Sequence, residues 1–381
     1  MMGVRVTTGK ASMILFAAFI ICAGGGVVVS PAAAEEVPLV PAVYVFGDST
    51  MDVGNNKHLG NFTPSLPYGV DLPLGIEPRF SNGYNMADSI SRLLGFNMSP
   101  PAYLSLTPET WVEILKGFGG VNYASGGSGI LDTTGNADLP LSKQVEYFAA
   151  TKANMTEQSG GNSTDIDALL SKSLFLISDG GNDMFEFFNN SPSFDKVHPF
   201  YDDLLSNYTK YVKRLYELGA RRFGVIDVPA IGCVPAARAE YLFGEWDCEH
   251  LANKLAGDFN SALGEAMANL NASLAGMKYS VGSSYKLVKN FTGPPAAPGF
   301  DNVNSACCGG GRLGVETLCV PDVTTCLNHD DHLFWDAVHC TQATSNRGAK
   351  AIYDAPLEQG FAAPINFKQL LLDDQPTSVS R

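Results

Sequence analysis

Short, continuous apolar runs alternate with longer amphipathic stretches along this chain. Val43-Tyr44-Val45-Phe46, Leu174-Phe175-Leu176-Ile177, Phe223-Gly224-Val225-Ile226 and Tyr279-Ser280-Val281 are each too short for a helix. Gly47 ends the first, and Gly180-Gly181 lies just past the second. Unbroken runs of this length predict strands buried on both faces of a parallel sheet. Between the last two pairs the spacing changes. Leu204, Leu205, Tyr208, Val212, Leu215 and Leu218 share one helical stripe, with Gly219 placed to stop it. Asn207 falls off that stripe. Leu251, Leu255, Phe259, Leu263, Met267, Leu270 and Leu274 predict a longer helix. The alternation predicts a parallel sheet covered by helices. Residues 157–165 and 292–299 read as loops within one domain, and no internal repeat or linker is visible.

The N-terminus has a different pattern. Arg5 and Lys10 precede an apolar run over residues 11–29, and Ala32-Ala33-Ala34 follows before Glu35. This reads as a secretory signal peptide over residues 1–34 rather than a membrane anchor, and no later segment reaches spanning length. The domain would then span residues 35–372, with 373–381 a mobile tail and no integral membrane segment after processing. Asn-x-Ser/Thr sequons at Asn61, Asn97, Asn154, Asn162, Asn189, Asn207, Asn271 and Asn290 predict N-glycans on a secreted, extracellular or cell-wall protein. Seven cysteines follow the signal segment: Cys233, Cys248, Cys307, Cys308, Cys319, Cys326 and Cys340. In an oxidising compartment most would pair, and the odd count leaves one over. The adjacent Cys307-Cys308 lacks the usual zinc-ligand spacing, so no metal is expected.

Composition narrows the choice further. A chain of 381 residues with 45% hydrophobic and 17% charged residues is not disordered. The formal charge of −14 becomes −16 once Arg5 and Lys10 are removed. That acidity argues against nucleic acid as a partner and disfavours polyanionic substrates.

The candidate chemistry starts at the first strand, because ligands of a parallel sheet bind beyond the strands' carboxyl ends. Ser49 follows that strand within Phe46-Gly47-Asp48-Ser49-Thr50-Met51-Asp52-Val53-Gly54-Asn55-Asn56. A serine between a strand and a helix start would have backbone N–H groups for a developing oxyanion, although Gly47-Asp48-Ser49 also reads as a turn and helix N-cap. No G-x-S-x-G occurs, which argues against an α/β-hydrolase elbow. Gly309-Gly310-Gly311-Arg312-Leu313-Gly314 matches G-x-G-x-x-G, but it lies among cysteines with no preceding strand predicted, so no dinucleotide cofactor is expected. A serine nucleophile needs a base and an orienting acid. Three of the six histidines sit three residues after an aspartate: Asp195/His198, Asp247/His250 and Asp336/His339. Spacing cannot choose among them. Asp195/His198 reads as a polar loop and Asp247/His250 as a capping and surface pair. Asp336/His339 follows Phe334-Trp335, which would stiffen the loop. His329-Asp330-Asp331-His332 reads as a solvated loop rather than a metal site.

Four blocks together resemble the plant GDSL esterase/lipase family, within the SGNH hydrolase superfamily. They are Phe46-Gly47-Asp48-Ser49 with Asp52 and Gly54-Asn55-Asn56, then Gly120 to Gly129, then Gly180-Gly181-Asn182-Asp183, then Phe334-Trp335-Asp336-Ala337-Val338-His339. Ile231 to Pro235 and Cys307-Cys308-Gly309 also fit, and the resemblance covers residues 40–365. It implies a three-layer α/β/α sandwich, flavodoxin-like, and a secreted serine esterase or lipase needing no cofactor. It implies Ser49 as nucleophile, His339 as base and then acid, and Asp336 as orienting acid. The backbone N–H groups of Ser49 and Gly127 and the Asn182 amide would form the oxyanion hole. Two positions depart from the pattern. Cys340 stands where the family commonly has Pro, and Thr50 where it has Leu or Ile.

The substrate would be a small-molecule or polysaccharide ester, with specificity in loops 60–80, 131–165 and 185–200. An acyltransferase would use the same acyl-enzyme. A non-catalytic glycan- or lipid-binding wall protein is the reading from another class, and intact blocks argue against it.

Overall fold

A computed structural model describes residues 37–372, except 61, 118, 137–138, 191, 241–247 and 294–298. The expected signal segment and tail lie outside the described residues. All four predicted strands form. The main sheet runs in the order β2-β1-β3-β4-β5-β8, with β1 Ala42–Gly47, β2 Gly119–Asn122, β3 Leu174–Ser178, β4 Arg222–Ile226, β5 Lys278–Gly282 and β8 Ala362–Ala363. Every pairing is parallel except β5 with β8. A separate pair joins β6 Asn302–Ala306 to β7 His332–Phe334.

Both faces of the sheet are buried, which explains the unbroken apolar runs. Tyr44 and Phe46 point into one core and Val43 and Val45 into the other. The first core packs against α2 Pro108–Leu115, α3 Leu141–Gln158, α4 Ser163–Lys172, α5 Gly181–Asn189, α6 Val197–Glu217 and α8 His250–Ser273. The second packs against α1 Met86–Leu93, α7 Pro235–Glu240, α9 Ser284–Thr292, α10 Gln342–Asp354 and α11 Phe367–Leu372. This is the three-layer α/β/α architecture. The strand order reverses at β1, so the carboxyl ends of β1 and β3 flank a topological switch point where such sheets bind ligands.

Several local expectations need correction. β2 contains Gly119-Gly120 and carries no apolar run. A Cβ on Gly120 would fall 2.0 Å from the Val43 carbonyl oxygen, so close pairing with β1 selects glycine here against strand propensity. Residues 157–165 are not one loop: α3 ends at Gln158, and Asn162 caps α4. Leu251 is 68% exposed, because spacing of four drifts about 40° per step and carries it off the stripe that holds Phe259 and Leu263. Asp195 and His198 lie in a short 3-10 turn and the start of α6, both exposed. Asp247 lies outside the described residues, and Glu249 is the N-cap of α8. A strand, β6, does precede the glycine-rich match, yet a short 3-10 turn between disulfide-bonded cysteines follows it instead of a dinucleotide-binding helix.

Candidate active site

β1 ends at Gly47, whose φ is +144° and whose added Cβ would fall 2.0 Å from the Ser178 carbonyl oxygen. Only glycine brings β1 and β3 this close at their ends. Gln144 of α3 clamps the same residue, accepting from its N–H at 2.8 Å and donating to its carbonyl at 2.9 Å. The chain then makes a single turn, not the predicted helix start: the Asp48 carbonyl accepts the N–H of Met51 and of Asp52. The Asp48 carboxylate takes Thr50 N–H at 2.8 Å and Thr50 Oγ1 at 2.7 Å. Ser49 sits on this turn, half-buried, above the strand ends.

The second functional side chain arrives from the far end of the chain. Phe334 and Trp335 are fully buried and anchor the loop after β7. Asp336 Oδ1 accepts the N–H of Val338 at 2.8 Å and of His339 at 2.7 Å, so the aspartate caps its own turn. That turn brings His339 Nδ1 within 2.7 Å of Asp336 Oδ2. His339 Nε2 lies 2.8 Å from Ser49 Oγ, across 290 residues of sequence. The Tyr68 hydroxyl donates to the same Asp336 Oδ2 at 2.7 Å.

The second block is pinned by the first. Asp52 accepts N–H groups of Gly54, Asn55, Asn56 and Gly126, and Asn56 Nδ2 donates to the Gly126 carbonyl at 3.1 Å. The Gly126 N–H is therefore committed to Asp52. Gly127 has φ +86° and faces open space, and its N–H has no partner among the described residues, so it is the free donor of the pair. Asn182 lies in the first turn of α5, where its amide donates one hydrogen to the Ser128 carbonyl at 2.8 Å and so holds a fixed orientation. Asp183 fastens this helix to the second block through Ile130 N–H, Leu131 N–H and Thr134 Oγ1. Ser49, Gly127, Asn182 and His339 line one cleft of about 560 Å³. Phe62, Phe80, Gly135 and Phe185 from the three expected specificity segments line it too, although Phe185 stands on α5 and much of 131–165 and 185–200 is helix rather than loop. Val228 and Pro229, which carried no signal in the sequence, and Val234 of the Ile231 to Pro235 block complete the wall.

Electrostatics favour a charged histidine. Burial disfavours imidazolium at His339, but the charge and hydrogen bond of Asp336, with the Asp48 charge, outweigh it and raise the pKa above 6.5. Burial likewise pushes Asp336 up, yet His339, the Tyr68 hydroxyl and the backbone donors bring it below the ordinary carboxylate value. Asp48, Asp179 and Asp183 are all buried, and desolvation raises each; the Asp48 and Asp183 charges push Asp179 further.

Three disulfides form, Cys233–Cys248, Cys307–Cys326 and Cys308–Cys319, and Cys340 is the thiol left over. Cys307, Cys326 and His332 cluster, but the two sulfurs bond to each other and are not free to hold a metal ion. His329 Nδ1 lies 2.7 Å from Asp71 Oδ2 and His332 Nδ1 2.6 Å from Asp331 Oδ1, so the two histidines take separate carboxylate partners. No described helix is long and apolar enough to cross a membrane. No local pattern marks Tyr68 or Gln144, and Asp48, though it stands in the first block, carries no sign there of its charge acting on His339.

Residues 43–352 match the family profile described as "GDSL-like Lipase/Acylhydrolase". GDSL esterase/lipase At1g29660 of Arabidopsis thaliana is 35% identical over 344 residues, covering 87% of this chain and 92% of its own. GDSL esterase/lipase At5g55050 of the same plant is 36% identical over 357 residues, covering 89% and 92%. GDSL esterase/lipase APG, also of Arabidopsis thaliana, is 34% identical over 338 residues, covering 85% and 92%.

Proposed function

The chain belongs to the GDSL-like lipase/acylhydrolase family and is a carboxylic ester hydrolase, and from that premise we propose that Ser49, His339 and Asp336 perform the reaction through an acyl-enzyme. One observation carries the assignment: the continuous hydrogen-bond chain from Ser49 Oγ through the His339 ring to Asp336. Ser49 Oγ attacks the ester carbonyl carbon while its proton passes to His339 Nε2. The tetrahedral oxyanion is met by the N–H groups of Ser49 and Gly127 and by the Asn182 amide. The ester C–O bond then breaks, and His339 returns the proton to the leaving alcohol. Water, deprotonated by His339, attacks the acyl-Ser49 carbonyl, and the acid departs as Ser49 regains its proton. Asp336 keeps the imidazole in the right tautomer and stabilises the imidazolium.

Ser49→Ala tests this. Turnover of a short acyl ester should fall at least 10³-fold with an unchanged circular dichroism spectrum, and fluorophosphonate labelling should vanish. Labelling that persists in the variant would refute the assignment.

Secretion of a mature chain starting near residue 35 belongs to the same proposal. Three disulfides support it, since such bonds persist in oxidising compartments. None of the seven described sequon asparagines is buried. N-terminal sequencing of protein from the medium, and a mass decrease on enzymatic deglycosylation, check both points.

A further inference from the structure

The large apolar side chains that stay exposed are not spread evenly over the surface. Of the fifteen among the described residues, seven fall in two short segments: Phe62, Leu66, Val70 and Leu74 in one, and Leu318, Val320 and Leu327 in the other. Leu74 and Leu327 stand out completely, at 104% and 106% exposure. The two segments meet in space. Tyr68 of the first packs in one cluster with Cys307, Cys308, Cys319 and Trp335, and Val323 and Cys326 of the second pack against it. His329, just past the second, lies 2.7 Å from Asp71 of the first. The first segment also reaches the catalytic cleft: the Phe62 and Tyr68 rings meet edge-on with centroids 6.2 Å apart, and Phe62 lines the cleft with Ser49 and His339. Cys307–Cys326 and Cys308–Cys319 brace the second segment, so its apolar tips are held out from the body. Asp71 and Asp322 are the only charged residues in 62–74 and 318–327, and neither segment holds a lysine or arginine.

We infer that this rim is a docking surface for uncharged lipid, and that the enzyme takes its ester from a lipid–water interface rather than from solution. The inference rests on the acyl-enzyme reading above and names the physical form in which the substrate arrives. A cluster of exposed apolar groups marks an interaction surface. Two features choose lipid over a protein partner. The groups are mostly leucine and valine on loops outside every helix and strand, whereas protein interfaces concentrate Trp, Tyr and Arg in packed pockets and draw little energy from Leu and Val. The rim also runs through Phe62 to the cleft mouth. A protein or a second copy seated there would obstruct the way to Ser49, whereas a lipid surface carries the substrate to it. Aliphatic tips entering acyl chains leave water and bring few polar groups with them. The segments lack cations and the whole chain is acidic, so anionic headgroups are disfavoured and the surface suits neutral or zwitterionic lipid.

The test is co-sedimentation with phosphatidylcholine vesicles, beside hydrolysis of dissolved p-nitrophenyl butyrate and of an emulsified triacylglycerol. The variant carries Leu74→Ser and Leu327→Ser together. Both side chains are fully exposed and neither lines the cleft, so the fold and the rate on the dissolved ester should be unchanged. The wild type should bind the vesicles and the variant at least tenfold more weakly, with a matching loss of rate on the emulsion alone. Phosphatidylserine added to the vesicles should weaken binding or leave it as it is. The sequon at Asn61 adjoins Phe62, so deglycosylated protein is assayed too and should bind at least as well. Wild type left in the supernatant, a variant that binds like wild type, a variant that loses both activities alike, or binding that needs phosphatidylserine or the glycan would each overturn the inference. A wild-type dimer that the variant dissociates would overturn it in favour of a second copy. Ser49→Ala separates the two levels, since it should bind vesicles like wild type and hydrolyse neither ester. Wild type that labels with fluorophosphonate but does not bind vesicles sinks the docking surface alone, whereas vesicle-binding protein that neither labels nor turns over ester sinks the acyl-enzyme reading.

Discussion

At the scale of single residues, the histidine of the proposed triad is tuned by more than Asp336. Tyr68 donates to Asp336 Oδ2, the oxygen that also faces His339. Burial and the Asp336 charge raise the Tyr68 pKa, so the hydroxyl stays a donor throughout the working pH range. Tyr68→Phe keeps the ring and removes that donor. It should lower stability by about 1.5–3 kcal/mol, the worth of a hydrogen bond to a charged group, measured by urea unfolding. With Asp336 less firmly held, kcat should drop about tenfold while KM changes little. Asp48 acts through charge. Its carboxylate raises the His339 pKa, and His339 must be neutral to accept the Ser49 proton, so kcat/KM falls as pH drops through that pKa. Asp48→Asn keeps an acceptor for Thr50 but removes the charge. The acid limb of the pH profile should move to lower pH, and a limb that stays in place would show that Asp48 does not act on the imidazole.

At the scale of elements, the site is built on the ends of β1, β3 and β7, on the turn after β1 and on the start of α5 after β3. Thr341 shows how tightly one of these is joined. It accepts the Thr344 N–H as the N-cap of α10 and donates to the His332 carbonyl at 2.7 Å, fully buried. Thr341→Ala loses the cap and the hydrogen bond to the His332 carbonyl. It should lower stability by about 2 kcal/mol, read by thermal or urea unfolding. The strands themselves were legible because burial on both faces writes an unbroken apolar run. β2 was not, because its contact with β1 demands small residues whatever their propensity.

Across the whole molecule, residues far apart in sequence close the site, and cross-links hold its rim. Cys233–Cys248 ties the segment carrying Val234 of the cleft wall to the approach of α8, closing a separation of 15 residues. Replacing both cysteines by alanine should cost about 3 kcal/mol in urea unfolding, from the freedom returned to the unfolded chain. Ester turnover should survive at temperatures where the variant remains folded, since no catalytic group is touched.

By itself the sequence marked a parallel sheet covered by helices, four strands of the main sheet and the turn that carries Ser49, and its motif blocks marked the Asp336/His339 loop. These features are local: burial periodicity and short-range turn chemistry mark them within a few residues. Local spacing left three Asp/His pairs open and the motif resemblance singled out Asp336/His339; the tertiary structure is what brings that pair to Ser49. Only it committed Gly126 to Asp52 and left Gly127 free, and brought Tyr68 to Asp336. Each of those depends on groups tens to hundreds of residues apart, and packing fixes their approach after the elements have formed, so no neighbouring residue carries a trace of it.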